Sequence, residues 1–243
     1  MTKQIVAYSG VRYQALDLIR GVAIALMFIY HFCFGLSQLG IVELNFAAQP
    51  MWVGFRFVIV FLFLSLVGVG LTLMTISVFR LGAYLKRLAL IVIYAGCISL
   101  ISFLVRPQYF VTFGILHLIF VSSMLGLFFT RYYWFNLGLG ILIVIAGYSL
   151  NFSQLDPMPL QWLGMSYANP ITDDFAPLFP WFGIVLVGIF LGRLVFIENH
   201  FVSFKTWQSH HWLASLLSWA GRYSVHLYFI HFQMFYLLVY LFG

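Results

Sequence analysis

The sequence predicts an all-α fold. It is a polytopic transmembrane helical bundle of about seven spans, one integral membrane domain over residues 1–243, N-terminus cytoplasmic and C-terminus outside. Three observations predict this. Only 7% of residues are charged and 63% are hydrophobic, against about 25% charged in a typical soluble domain. Apolar runs of about 18 residues or more recur along the whole length, the signature of membrane helices. Basic connections alternate with acidic or neutral ones, which orients the spans.

The first span, near Ala15–Leu36, follows a basic flank of Lys3 and Arg12. Loop 37–50 has Glu43 as its only charge and leads into Met51–Ser77. Arg80, Lys86 and Arg87 fill the connection to Leu85–Leu104, Arg106 follows that span, and Val111–Phe129 comes next. Thr130-Arg131-Tyr132 then makes a tight hairpin into Tyr133–Leu150. Residues 151–177 carry Pro157, Pro159, Pro170 and Pro177 with Asp156, Asp173 and Asp174 and no basic residue. Too polar and proline-broken to span, they read as an external loop or lid. Leu178–Phe196 is the sixth span, and its Gly188-x3-Gly192 spacing reads as ordinary helix packing. Arg193, Lys205 and Arg222 precede the last span, Tyr223–Phe242. Between them, residues 201–220 mix Trp207, Trp212 and Trp219 with Ser, Gln and His210-His211, which predicts a helix lying in the cytoplasmic interface.

Several functions lose support at this level. The formal charge of +6 is spread over short loops and reads as orientation signal, not as affinity for nucleic acid. Cys33 and Cys97 sit inside apolar runs with no CxxC, so neither a disulfide framework nor a metal site is expected. The first apolar run is too long and too polar for a cleavable signal peptide. GxGxxG, Walker and GxSxG patterns are absent, which leaves nucleotide and elbow-serine hydrolysis unsupported.

The intramembrane polar residues are what remains. Eleven helical steps separate Arg20 from His31, about three turns plus 20°, so both lie on one face, roughly 16 Å apart along the axis. Asp17, Ile24 and Met27 share that face. Arg and His are costly in lipid, so this stripe should face protein or a wet cavity. Arg20 and His226 lie toward the cytoplasmic side, where they suit an anionic group. His31, Arg56, His117 and the pair Asp173-Asp174 lie toward the outside, ahead of Pro177, Pro180 and Trp181. Together they supply a general base, an orienting carboxylate and an anion clamp. Bland alternatives stand beside each: Arg20 snorkelling to headgroups, His31 and His117 as helix-packing histidines, and Arg56 with the Asp pair as a structural ion pair.

Four segments in order carry a family resemblance. They are Ala15-Leu16-Asp17-Leu18-Ile19-Arg20-Gly21 running to His31, Phe113-Gly114-Ile115-Leu116-His117, Pro177-Leu178-Phe179-Pro180-Trp181 followed by Gly188, and Gly221-Arg222-Tyr223-Ser224-Val225-His226 running to His231. The chain resembles the bacterial membrane proteins related to the heparan-α-glucosaminide N-acetyltransferase catalytic domain. That group is similar to the membrane acyltransferase type 3 superfamily, whose basic-x10-His spacing Arg20 and His31 match. The resemblance implies an acyltransferase of the bacterial cytoplasmic (inner) membrane. It would move an acyl group, acetyl in the first instance, from cytoplasmic acyl-CoA to an extracytoplasmic glycan or other small acceptor. Acyl-CoA would be a donor substrate, with no permanently bound cofactor. His31 would be the base or transient acyl carrier, supported by His117 and Asp174. Arg20 and His226 would hold the donor, and Arg56, Asp173 and Trp181 would meet the acceptor. A proton-linked transporter using the same histidines, a homo-oligomer, and a non-catalytic subunit of a larger membrane complex remain open alternatives.

Overall fold

The computed structural model describes residues 12–46, 48–76, 79–168 and 170–242. Lys3 of the basic N-terminal flank lies outside them. The described residues form helices joined by loops, with no strand among them. In order these are α1 (Gln14–Gln38), α2 (Pro50–Ile76), α3 (Leu81–Val105), α4 (Ile115–Phe129), α5 (Trp134–Ser149), α6 (Leu178–Phe196), α7 (Val202–Thr206), α8 (Trp212–Arg222) and α9 (Ser224–Phe242). Each stretch read as a span coincides with a helix, and α1, α2, α3 and α6 are long and apolar enough to cross a membrane. The helices α4 and α5 are apolar but shorter.

The middle of the bundle is α6, buried on nearly every side between α2 and α5 and touching α4. Lipid tails are as oily as leucine, so such helices gain by close backbone approach rather than by hiding apolar surface. A Cβ on Gly188 would lie 2.2 Å from the Ser65 carbonyl oxygen, and one on Gly68 2.2 Å from that of Val185. The Thr72 hydroxyl crosses the same seam to the Ile189 carbonyl at 3.2 Å. The Gly188-x3-Gly192 spacing therefore serves packing inside the bundle, with Gly192 against Thr72.

Two sequence readings change. The fourth helix starts at Ile115 rather than Val111, because both backbone groups of Val111 are held by serines of α3. The Ser99 hydroxyl donates to the Val111 carbonyl at 2.6 Å, and the Val111 N–H donates to Ser102 Oγ at 2.9 Å. Gly114 then opens the helix with φ −95° and ψ −174°. Residues 201–220 do not form one helix: α7 and α8 are separated by non-helical residues 207–211. The second piece, α8, docks on α1. Small residues set this approach too, since a Cβ on Gly21 would meet the Leu217 oxygen at 1.8 Å and one on Gly221 the Asp17 oxygen at 1.8 Å. Trp212, Leu216 and Trp219 stay exposed on the other side of α8.

Loop 151–177 is ordered by its own polar groups. Asp156 Oδ1 accepts the N–H groups of Tyr167 and Ala168 at 2.7 and 3.1 Å, and Trp162 packs on Phe113 with ring centroids 5.4 Å apart.

Replacing Gly188 with leucine drives a side chain into the α2 backbone and should lower stability by about 1–3 kcal/mol or more. Gly138→Ala, which meets open space, should leave the melting temperature in detergent unchanged or slightly raised; equal melting of the two variants would contradict the seam.

Candidate functional site

Both ends of the bundle are built around aspartates. At the end where α1 begins, Asp17 is almost fully buried, and a lone carboxylate there would be severely penalised. Three guanidinium groups surround it: Arg20 at 3.1 Å, Arg12 at 3.2 Å and Arg222 at 3.4 Å. Arg222 arrives because the Gly21–Gly221 approach seats the last turn of α8 on the first turns of α1. One anion among three cations leaves the cluster positive. Arg20, Arg87 and Arg222 then line a cavity of about 390 Å³, whose deeper walls are apolar residues such as Leu66, Val67 and Ile91. Arg87 comes from α3 and lies close enough to Arg20 for their like charges to interact. An excess of guanidinium in a partly dry pocket suits phosphate or carboxylate.

At the other end a cavity of about 560 Å³ is lined by His31, Arg56, Asp173, Asp174 and Trp181, together with Tyr30, Tyr148 and Tyr228. His31 Nδ1 lies 3.0 Å from the carbonyl oxygen of Met27, one turn back on α1. A carbonyl only accepts, so Nδ1 carries the proton of the neutral ring and Nε2 holds the lone pair. The ring of His231 packs edge-on against it, with centroids 4.9 Å apart. Asp174 Oδ2 accepts the Ile115 N–H at 2.9 Å and the Tyr228 hydroxyl at 3.0 Å. Only glycine fits at position 114 beside it, where a Cβ would stand 2.2 Å from Oδ2. The Asp174 charge also reaches His31.

Asp173 is spoken for by a different cation from the one expected. It accepts from Arg106 at 2.9 Å in a pair that is nearly buried on both sides, and Arg106 also donates to Gln38 at 3.0 Å. Arg56, exposed at the cavity, makes no ion pair among the described residues, although its charge reaches Tyr30 and Tyr148. The two cavities abut: Phe63, Ile115 and Tyr228 line both.

The structure thus gathers Arg20 at one end, and His31, Arg56, Asp173, Asp174 and Trp181 at the other. Two expected members stand apart. Both ring nitrogens of His117 face local partners, Nδ1 accepting the Gly114 N–H at 3.2 Å and Nε2 facing Ser99 Oγ at 3.5 Å, and its side chain lines neither cavity. His226 is exposed, with Nδ1 2.7 Å from the Tyr94 hydroxyl on the α3 side of α9. Sequence reading missed Arg87, Arg222 and Tyr228. The first two look like loop charges that orient the chain, and tyrosine is too common here, at 14 residues, to stand out.

Burial pushes the Asp173 carboxyl up to about 6, against the pull of Arg106. The folded chain therefore holds this proton more tightly than the unfolded chain, whose carboxyl stays near 3.8. The stability owed to it is present at low pH and is lost as pH rises through that window. The fall in melting temperature between pH 4 and 7 should be shallower in Asp173→Asn; an unchanged slope would contradict this.

Comparison with known proteins follows the same path. The family described as heparan-alpha-glucosaminide N-acetyltransferase, catalytic, matches residues 12–233, which include both cavities. No curated protein and no solved structure matches the chain. A match over most of its length, containing the Arg20–His31 helix and the Asp174 loop, places the chain in the heparan-α-glucosaminide N-acetyltransferase catalytic-domain family.

Proposed function

We propose that the chain transfers an acyl group, acetyl in the first instance, from acyl-CoA held at the Arg20 end to an acceptor held at the His31 end. The observation that carries this reading is the pair of abutting cavities, one cationic and one containing an oriented histidine, in a chain of an N-acetyltransferase family.

Charge supports the direction. Arg12, Arg20, Arg80, Lys86, Arg87, Arg131, Arg193, Lys205 and Arg222 belong to the end where α1 begins. The opposite end has Arg56 and Arg106, with Glu43, Asp156, Asp173 and Asp174. By the positive-inside rule the first end is cytoplasmic, giving seven crossings with the C-terminus outside. Acyl-CoA then arrives from the cytoplasm, and an extracytoplasmic sugar amine or hydroxyl enters beneath loop 151–177.

The chemistry follows from the residues. Arg20, Arg87 and Arg222 hold the donor's phosphates, and the apolar walls below them take the acyl-bearing arm. His31 Nε2 accepts the proton of the acceptor's N–H or O–H as its heteroatom attacks the thioester carbonyl. The C–S bond breaks as the new acyl bond forms, and the proton passes from His31 to the departing sulfur. The Asp174 charge favours the transient imidazolium. Trp181 and Tyr148 offer faces against which a sugar ring packs, and Arg56 meets an anionic substituent on it.

His31→Ala should lower acyl-CoA-dependent transfer by about 100-fold or more while donor binding persists; full transfer by this variant would overturn the assignment. Arg87→Ala, which leaves the Asp17 cluster intact, should raise the KM for acyl-CoA about tenfold with less change in kcat, as expected for one lost charge-assisted contact. His226→Ala should move that KM far less. The same cavities would serve a transporter, and solute uptake by proteoliposomes without acyl-CoA would favour that reading over transfer.

A further inference from the structure

Three residues line both cavities, and they are not equally fixed. Phe63 contributes an apolar side chain from α2. Ile115 is tied through its backbone, since its N–H is the one that donates to Asp174 Oδ2 at the start of α4. Tyr228 is fastened to the α4 side through the tip of its side chain, whose hydroxyl donates to that same oxygen across 3.0 Å. One carboxylate oxygen thus fastens two of the three wall residues, one by a rigid bond and one by a rotatable side chain.

We infer that Tyr228 is the gate between the two cavities, latched by Asp174. The inference rests on the transfer reading for its purpose, because a donor held by Arg20 and a base at His31 must meet across this wall. Its geometry stands without that reading. Tyr228 is 5% exposed, its ring stacks on Phe232 at 5.8 Å, and Asp174 itself lines the outer cavity. A ligand there that brings an N–H or O–H to Oδ2 competes with the Tyr228 hydroxyl for that oxygen. Loss of the latch leaves the ring held by its contacts with Phe232 and His231, both of them residues of α9 itself. The gate also protects the donor: with the latch closed, the thioester is screened from water on the acceptor side.

The test reads passage, not transfer. In a full-length chain carrying Cys33→Ser and Cys97→Ser, Val60→Cys places one thiol in the outer cavity, which Val60 lines without reaching the inner one. A membrane-impermeant sulfonated methanethiosulfonate is applied to right-side-out and inverted vesicles. With Tyr228 present, labelling from the Arg20 end should be slow. Tyr228→Phe keeps the ring and removes the latch, and should speed labelling from that end about fivefold, as for one lost hydrogen bond. Tyr228→Ala should speed it further, while labelling from the His31 end stays unchanged in both. Unchanged labelling from the Arg20 end in both variants would overturn the gate, and so would an equal rise from both ends, which marks general loosening. A chain that gates as described but transfers no acyl group would refute the proposed function and leave the gate standing.

Discussion

The Arg20 end of the bundle depends on one buried carboxylate. Asp17 lies in an apolar interior where its charge is tolerable only among cations, and the chain supplies them from two distant places. Arg20 flanks it from the same turn of α1 and Arg12 from just ahead of that helix, whereas Arg222 is brought by α8. That helix has to dock for the cluster to exist, and it docks because Gly21 and Gly221 let two backbones meet. Assembly of the cluster and of the cationic cavity are therefore one event. The surplus positive charge that makes the cavity useful is a by-product of over-satisfying one aspartate.

The His31 end repeats the logic with different partners. Asp174 is satisfied by donors rather than cations, a backbone N–H at a helix start and a phenol, so its charge stays available to neighbours. Asp173, adjacent in sequence, is neutralised by Arg106 and braces α1, α3 and the loop through Gln38 and the Tyr109 carbonyl. Adjacent in sequence, the two aspartates thus take opposite kinds of partner, neutral donors at Asp174 and a guanidinium at Asp173. That pairing leaves Arg56 at the cavity with no ion pair among the described residues.

Much of this was legible in the sequence. Helix positions follow from hydropathy, which is a local property, and each span reading falls on a helix. Arg20 and His31 share a face by helical periodicity alone. What escaped was pairing across space. That Asp173 takes Arg106 and not Arg56 depends on which loop end lies nearer, and periodicity carries no such information. His117 and His226 sit at plausible depths, yet the rotation of α4 and α9 about their own axes turns one toward Ser99 and the other toward Tyr94. Arg87 and Arg222 were hidden for the opposite reason, since residues that orient a membrane chain and residues that bind an anion look alike on paper. The docking of α8 was likewise invisible: its exposed tryptophans advertise an interfacial helix, while its small residues, which bind it to α1, leave a weaker signature.

The hydrogen bond from His31 to Met27 has a consequence for how this site tolerates change. The acceptor is a main-chain carbonyl on the same helix, four residues back, so which ring nitrogen stays basic is dictated by α1 itself and by no neighbouring side chain. Substitutions around the cavity can reshape what enters it without reassigning the proton. The lone pair on Nε2 therefore persists through changes of the cavity lining, provided α1 remains helical through that turn.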